Sequence, residues 1–340
     1  IGRGFTAETM TSGFIIWANH RGILVDPPVG STDWLREQEI NPKLIDSIVL
    51  THCHADHDGG TLQKVLAEGR VRIYTTPTIM RSFITKNAPL AGLSRNRFAS
   101  LFDFSPVGIG DPVRIEGAEF IFRYSLHSVP CVGFEAFYGG KSLVYSSDTL
   151  YEPATFRALH RLGILSPERL EQLMGFPWHH DLVLHEAGIP PLHTKLEELL
   201  ELPAEIRQRI MLIHLSPRHL PEGTGMRIAP AGLENTIHMV DQQDDRSEAQ
   251  TTLDVLCRCG LFASLPWAKA AEAFSVVNRK RYAPGDFLIR RGEVGDSFFV
   301  IAHGKAAVLD ENGKDKAVYG RYDYFGETAI VLGTTRTADV

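Results

Sequence analysis

At 340 residues the chain is too long for one ordinary core, and a hydrophobic share of 44% with 22% charged residues excludes disorder and fibrous structure. A net charge of -6 offers no broad basic surface, so nucleic acid is not the default partner. Four cysteines are too few for a disulfide framework, and Cys257 and Cys259 lack the two-residue gap common in structural zinc pairs. No run is long and apolar enough to span a bilayer and no leader-like segment opens the chain, which together point to a cytoplasmic protein with reduced thiols and no membrane partner. The chain opens on Ile1 rather than methionine and stops at Val340, so both ends read as cuts in something longer.

Short β-prone runs at residues 13–18 and 22–25, a helical stretch at 33–38 and a strand at 45–50 come first. After Gly59-Gly60 a helix is predicted at 61–68 and a strand at 71–74, an alternation expected of layered α/β folds. Residues 113–145 read as strands that end in the buried-type run 142–146. Residues 153–174 read as helix, with Leu159, Leu162 and Ile164 near apolar-face spacing, and strands return at 182–184 and 210–215. The polar stretch 239–250 has no periodic apolar face and sets the domain boundaries: a first domain over 1–240, a linker over 241–252 and a second domain over 253–340. There a short helical segment precedes alternating runs at 287–289, 297–301 and 306–309, separated by glycine-bearing turns, the rhythm of a small β-roll.

The densest chemistry stands in Thr51-His52-Cys53-His54-Ala55-Asp56-His57-Asp58-Gly59-Gly60, directly after a predicted strand. Imidazole nitrogen and carboxylate oxygen are the ligands that zinc and similar ions favour, and a loop leaving a strand end can turn alternate side chains toward one point. Without a cation such a cluster has a large electrostatic cost and little packing rationale.

The segment resembles the signature of the metallo-β-lactamase superfamily, which implies an αββα sandwich and further ligands downstream. His127 in Ser125-Leu126-His127-Ser128-Val129-Pro130, Asp148 at the end of a strand-like run and His214 in Leu212-Ile213-His214-Leu215-Ser216 match those places. The resemblance implies two divalent ions, zinc first and manganese or iron as alternatives. His52, His54 and His127 would hold one, Asp56, His57 and His214 the other, and Asp148 would bridge them. Two such ions make a hydroxide available at neutral pH and stabilise charge on an attacked phosphoryl or carbonyl centre, with Asp56 counted among the catalytic groups.

The pieces Leu184-His185-Glu186-Ala187, Leu192-His193-Thr194 and His214-Leu215-Ser216-Pro217-Arg218-His219 resemble the phosphodiesterase branch that contains ribonuclease Z. There a histidine of a His-Glu-Ala-Thr motif helps protonate the leaving group, a role that carries over to His185; this chain departs in having Gly188 for the threonine. His193 reads equally as a helix-start residue. The resemblance does not extend to a basic RNA-gripping arm, because the interval from His127 to Asp148 carries Lys141 alone among Arg and Lys.

Farther on, the text from Tyr282 is similar, motif by motif, to the cyclic-nucleotide-binding domain: Ala283-Pro284-Gly285-Asp286, Arg291-Gly292-Glu293, Gly295 to Ile301, and the cassette Phe325-Gly326-Glu327-Thr328-Ala329 with Arg336-Thr337-Ala338. The resemblance implies that Gly326, Glu327, Thr328, Ala329, Arg336 and Thr337 bind cAMP or cGMP. Arg336 would fork onto the cyclic phosphate and Glu327 would take the ribose hydroxyl, while Thr337 leans toward cGMP. The reading that follows is a dinuclear phosphodiesterase acting on a phosphodiester such as a cyclic nucleotide and regulated by one. Its rivals are a nucleotide-sensing scaffold with a vestigial metal site and a ribonuclease Z-like RNA hydrolase.

Overall fold

The computed structural model of the chain describes residues 13–19, 21–38, 40, 42, 45–68, 71–240, 248–262, 269, 272 and 276–340. It divides into two compact units, Ile1–Glu37 with Ile45–Gln242, and Gln38–Leu44 with Gln243–Val340. Among the described residues no helix is long and apolar enough to cross a membrane.

The first unit holds two sheets. One runs in the order β1 (Phe14–Ala18), β2 (Arg21–Val25), β3 (Ser47–Val49), β4 (Arg72–Thr75), β5 (Asp103–Pro106); only β1 is antiparallel to its neighbour. The other comprises β6 (Pro112–Ile115), β7 (Ala118–Ser125), β8 (Cys131–Tyr138), β9 (Lys141–Tyr145), β10 (Leu182–Glu186), β11 (Ile210–Ile213) and β12 (Arg227–Ile228), in that spatial order. Its first four strands form an antiparallel meander and its last four pair in parallel. In β7, Ala118, Phe120, Phe122 and Ser125 are buried and the residues between them are half-buried, an alternation, strict as far as Phe122, of a strand with one face on a core. The aromatic residues Phe120, Phe122 and Phe134 pack together there, and Tyr145 of β9 reaches Phe14 of β1, so the two sheets meet face to face. Helices α1 (Ser31–Glu37), α2 (Ala55–Glu68), α3 (Pro77–Leu90) and α4 (Arg95–Ala99) connect the first sheet. Those of the second are α5 (Pro153–Arg161), α6 (Pro167–Met174), α7 (Leu196–Leu200) and α8 (Ala204–Arg207). This is the αββα sandwich.

Three expectations are corrected. The helix placed at 61–68 begins at Ala55, so that Asp56 and His57 lie in its first turn; the carbonyl of His54 accepts from the backbone of His57 and Asp58 at 3.1 and 3.0 Å. The helix placed at 153–174 is two helices. Gly163 takes a left-handed φ of 73° and Pro167 opens a new turn capped by Ser166, which leaves Leu162 and Ile164 exposed in the break. The run 287–289 makes no strand: Leu288 and Ile289 both donate to the carbonyl of Val340, too short a pairing for a ladder.

Of the expected linker, residues 241–247 lie outside the described residues, and 248–252 open α9 (Glu248–Arg258) in the second unit. That unit pairs β13 (Phe299–Val300) with β16 (Tyr324–Phe325) and β14 (Ala306–Leu309) with β15 (Asp315–Tyr319), followed by α10 (Glu327–Leu332). Ile289, Ile301, Ala306 and Phe325 form its buried core. Tyr322, in a left-handed turn, is 1% exposed and donates to Asp254 of α9 at 2.6 Å, so the helix is anchored beside the segment that leads to α10.

Candidate functional site

Functional side chains of the first unit collect where strands end. Asp26 follows β2, the segment 51–57 follows β3, Asp148 follows β9, Glu186 closes β10 and His214 follows β11. Parallel pairing brings such carboxyl ends to one edge. At three of these ends the chain turns through a left-handed, non-glycine residue: Asp26 (φ 43°), Ser147 (φ 52°) and His214 (φ 59°). Strained backbone of this kind persists only where the surroundings over-determine it.

The seven predicted ligands are brought together. Ligand atoms of His52, His54, His127 and Asp148 lie within 4.8 Å of one another, and so do those of Asp56, His57 and His214. Asp148 divides its carboxylate between the two groups. Its Oδ2 lies 3.8 Å from Nε2 of both His52 and His127, and its Oδ1 lies 3.4 Å from Nε2 of His57 and 3.0 Å from Nε2 of His214.

The far side of three of the rings is fixed by the protein. His57 Nδ1 meets Asp26 Oδ2 at 3.0 Å, His52 Nδ1 meets Thr51 Oγ1 at 3.1 Å, and His127 Nδ1 meets the carbonyl of Leu192 at 3.3 Å. Asp26 also accepts from the backbone and hydroxyl of Thr51 at 2.8 and 2.6 Å. These contacts aim the opposite nitrogens inward. His52 Nε2 and His57 Nε2 are buried and make no hydrogen bond, a cost of about 1–3 kcal/mol for each such group, which a divalent ion on those nitrogens would remove. Nitrogen and carboxylate donors in this pattern fit zinc, manganese or iron.

An imidazole must be uncharged to bind an ion, and the surroundings favour that form at His52 and His127 but not at His57. Burial, with His57 beside it, pulls His52 well below the usual histidine range, and burial brings His127 down to about 4. Burial also works to lower His57, but the Asp148 and Asp26 carboxylates outweigh it and hold that imidazole well above its ordinary value. Burial pushes Asp148 up, yet His214 and His57 more than offset this and leave it ionised.

His185 is not brought to the cluster. It is 0% exposed, its ring stacks on Trp178 at 5.3 Å and touches Phe176 and Tyr151, and its Nδ1 meets the carbonyl of Glu186 at 2.7 Å. Burial lowers it to about 4, so it is uncharged at neutral pH and its Nδ1–H is spent on that carbonyl. Neighbours on a strand face opposite sides, and it is Glu186 that faces the site. Glu186 accepts from the backbone of Thr194 at 2.8 Å and holds His193 Nδ1 at 3.1 Å. The His193 ring lies 5.7 Å from His214 and 5.6 Å from His127, over both ligand groups. Burial works to lower His193, and its bond to Glu186 overcomes this and raises it. The pair sets an imidazole of raised pKa beside the ligands, in the place that the resemblance gave to His185. Gly188 explains the departure from the motif: a Cβ there would stand 2.8 Å from that of His193.

Sequence reasoning missed Asp26, Thr51 and Glu186. Asp26 carried a signal in following an apolar strand, but nothing in its neighbourhood tied it to a histidine 31 positions later.

In the second unit Arg336 is 6% exposed, and its two terminal nitrogens donate to the carbonyls of Gly326 and Ser297, both at 2.6 Å. Gly326 has φ 88°, and a Cβ on it would stand 2.9 Å from the guanidinium. Gly295 fits between Ala329 and Arg336. Glu327 is half-buried, Ala329 is buried, and Thr328 and Thr337 lie exposed at the rim.

The family model described as anti-Pycsar protein Apyc1 matches residues 1–228. The chain belongs to this family. The model of the cyclic nucleotide-binding domain matches residues 279–340. The Apyc1 protein of Paenibacillus sp. (strain J14) is 24% identical over 223 residues, 63% of this chain and 86% of that protein. Higher identity is found to two proteins of Dictyostelium discoideum. The cGMP-dependent 3′,5′-cGMP phosphodiesterase A is 41% identical over 337 residues, and the cAMP/cGMP-dependent 3′,5′-cAMP/cGMP phosphodiesterase B is 38% identical over 314. These alignments cover 99% and 91% of this Apyc1-family chain, which spans 38% and 28% of the length of those two relatives.

Proposed function

We propose that the chain is a dinuclear-metal phosphodiesterase of 3′,5′-cyclic nucleotides, with a hydrolase domain over 1–240 and a nucleotide-binding regulatory domain over 253–340. The observation that carries the reading is the division of Asp148 between two imidazole groups, with the Glu186–His193 pair standing over both. Two divalent ions, zinc by first choice, would be held by His52, His54 and His127 and by Asp56, His57 and His214 with Asp148 shared; bound there they supply a hydroxide at neutral pH and neutralise phosphoryl charge.

The remaining work falls to the protein's own groups. Asp26 and Thr51 hold the rings of His57 and His52 in one orientation. His193, kept protonated by Glu186, donates from Nε2 to the departing ribose oxygen, which otherwise leaves as a poor alkoxide. In the second domain Arg336 would take the cyclic phosphate, sharing itself with its carbonyl partners or displacing them. The names of the two Dictyostelium relatives support both the substrate class and the regulation. The Glu186–His193 pair also favours hydrolysis over a scaffold, since a vestigial site has no use for a positioned acid.

The test combines metal analysis with hydrolysis of cGMP and cAMP by the chain and by His54→Ala. The substitution is expected to lower turnover more than about 100-fold, the loss of several kcal/mol of charge stabilisation. Unchanged turnover would defeat the mechanism.

A further inference from the structure

Lys86 of α3 is no ligand, yet it grips the metal-binding segment at two separate points. Its Nζ donates to Asp58 Oδ1 and Oδ2 at 2.7 and 2.8 Å and to the carbonyl of Cys53 at 3.0 Å. Cys53 stands between His52 and His54, of one ligand group, whereas Asp58 directly follows His57, of the other. Asp58 is 1% exposed, and Asn87, the next residue of α3, donates to the same carboxylate at 3.3 Å. A further tie runs from the Cys53 thiol to the carbonyl of Ile79 at 3.5 Å. The helix that carries these contacts is itself fixed, with Thr76 capping its start and Phe83 packed on Phe98 and Phe102.

The backbone between the two grips changes character. Residues 51–54 are loop and Ala55 begins α2, so the two ligand groups ride on different kinds of backbone joined at one peptide. The His54 carbonyl, accepting from the His57 and Asp58 amides, holds the joint at the main chain, and a side chain that spans it ties the loop farther out, at Cys53, to the helix. A single ammonium with donors on both sides spans it, and its charge matches the buried carboxylate on the helical side.

We propose that Lys86 is a positioning residue that sets the spacing between the two metal sites by clamping the loop half of the segment to its helical half. The inference rests on the dinuclear reading above. It calls for a probe of spacing as well as turnover, and manganese provides one, because two Mn(II) ions held a few ångströms apart give an exchange-coupled paramagnetic resonance spectrum while isolated ions give the ordinary six-line signal.

The full chain is stripped with chelator, reloaded with Mn(II) and compared with Lys86→Gln and Lys86→Arg, folding being checked by circular dichroism. The unaltered chain is expected to take up two ions and show the coupled spectrum. In Lys86→Gln at least one site weakens 10-fold or more by calorimetric titration and the coupled spectrum gives way to isolated ions; Lys86→Arg restores much of both. If Lys86→Gln does not fold, Asp58→Asn, which keeps the shape and removes the charge that Lys86 holds, is expected to give the same two changes. A folded Lys86→Gln or Asp58→Asn with two ions at unchanged affinity and an unchanged coupled spectrum overturns the clamp. Uptake of a single ion without coupling by the unaltered chain overturns the dinuclear reading itself, a failure visible before any substitution is made.

Discussion

The metal end of the first unit and the cassette of the second both bury polar groups, and they treat them in opposite ways. At the metal end, His52 and His57 are fixed on one side by Thr51 and Asp26, and their inward nitrogens bond to nothing in the protein. In the cassette, Arg336 is nearly as buried, but both ends of its guanidinium already donate to carbonyls. The first arrangement is incomplete as a set of protein contacts and so specifies a cation. The second already spends two of its five N–H donors on the carbonyls of Gly326 and Ser297, so a cyclic phosphate would share Arg336 with them or displace them. A site of the first kind suits a permanent resident, and one of the second kind suits a ligand that comes and goes.

The largest effect that would sharpen this contrast belongs to the acid pair. His193→Ala is expected to slow hydrolysis of a cyclic nucleotide by about 10²–10⁴-fold and to leave a p-nitrophenyl phosphodiester, whose leaving group needs no proton, much less affected. Equal losses on both substrates would remove His193 from the acid role. The pH dependence follows from the same pair. An acid must be protonated, so activity falls as pH rises through the pKa of His193, which Glu186 has raised; Glu186→Gln should move that basic limb of the kcat profile toward lower pH.

A smaller effect tests the cassette. Arg336→Ala should weaken cGMP binding by about 30-fold or more, on the order of 2 kcal/mol or above, measured by titration calorimetry, with metal content per chain unchanged. Undiminished affinity would show that the carbonyls keep the guanidinium for themselves. The smallest concerns the anchor of α9: Tyr322→Phe removes the hydroxyl that donates to Asp254 and should lower the stability of the second unit by about 1 kcal/mol in thermal unfolding.

What was legible in the sequence follows from how locally each feature is encoded. Four ligands within six residues announce themselves, and three more were found because the resemblance to the metallo-β-lactamase signature implies further ligands downstream, at places His127, Asp148 and His214 match. Glu186 and His193 were both in the quoted text, but adjacent strand residues give equal signals, and which of His185 and Glu186 faces the ligands is decided by how β10 seats in its sheet. Asp26 was out of reach because its partner lies 31 positions away and only parallel pairing of β2 with β3 brings them together. The start of α2 was missed because the Gly59-Gly60 pair reads as a break, whereas the structure keeps both glycines inside the helix. In the second unit the core residues Ile289, Ile301 and Phe325 all lay in expected strand or cassette segments; β14 matches its expected run, while the run 297–301 is a strand only over Phe299–Val300 and the run 287–289 forms none.

The left-handed turns at Asp26, Ser147 and His214 bear on how an ion is captured. The turns at Asp26 and His214 place a carboxylate and an imidazole directly, and the one at Ser147 places Asp148 after it, by a main-chain course that is settled when the strands pair. Capture then freezes almost no chain motion, and the entropy of the event resides chiefly in the water released from the ion's hydration shell.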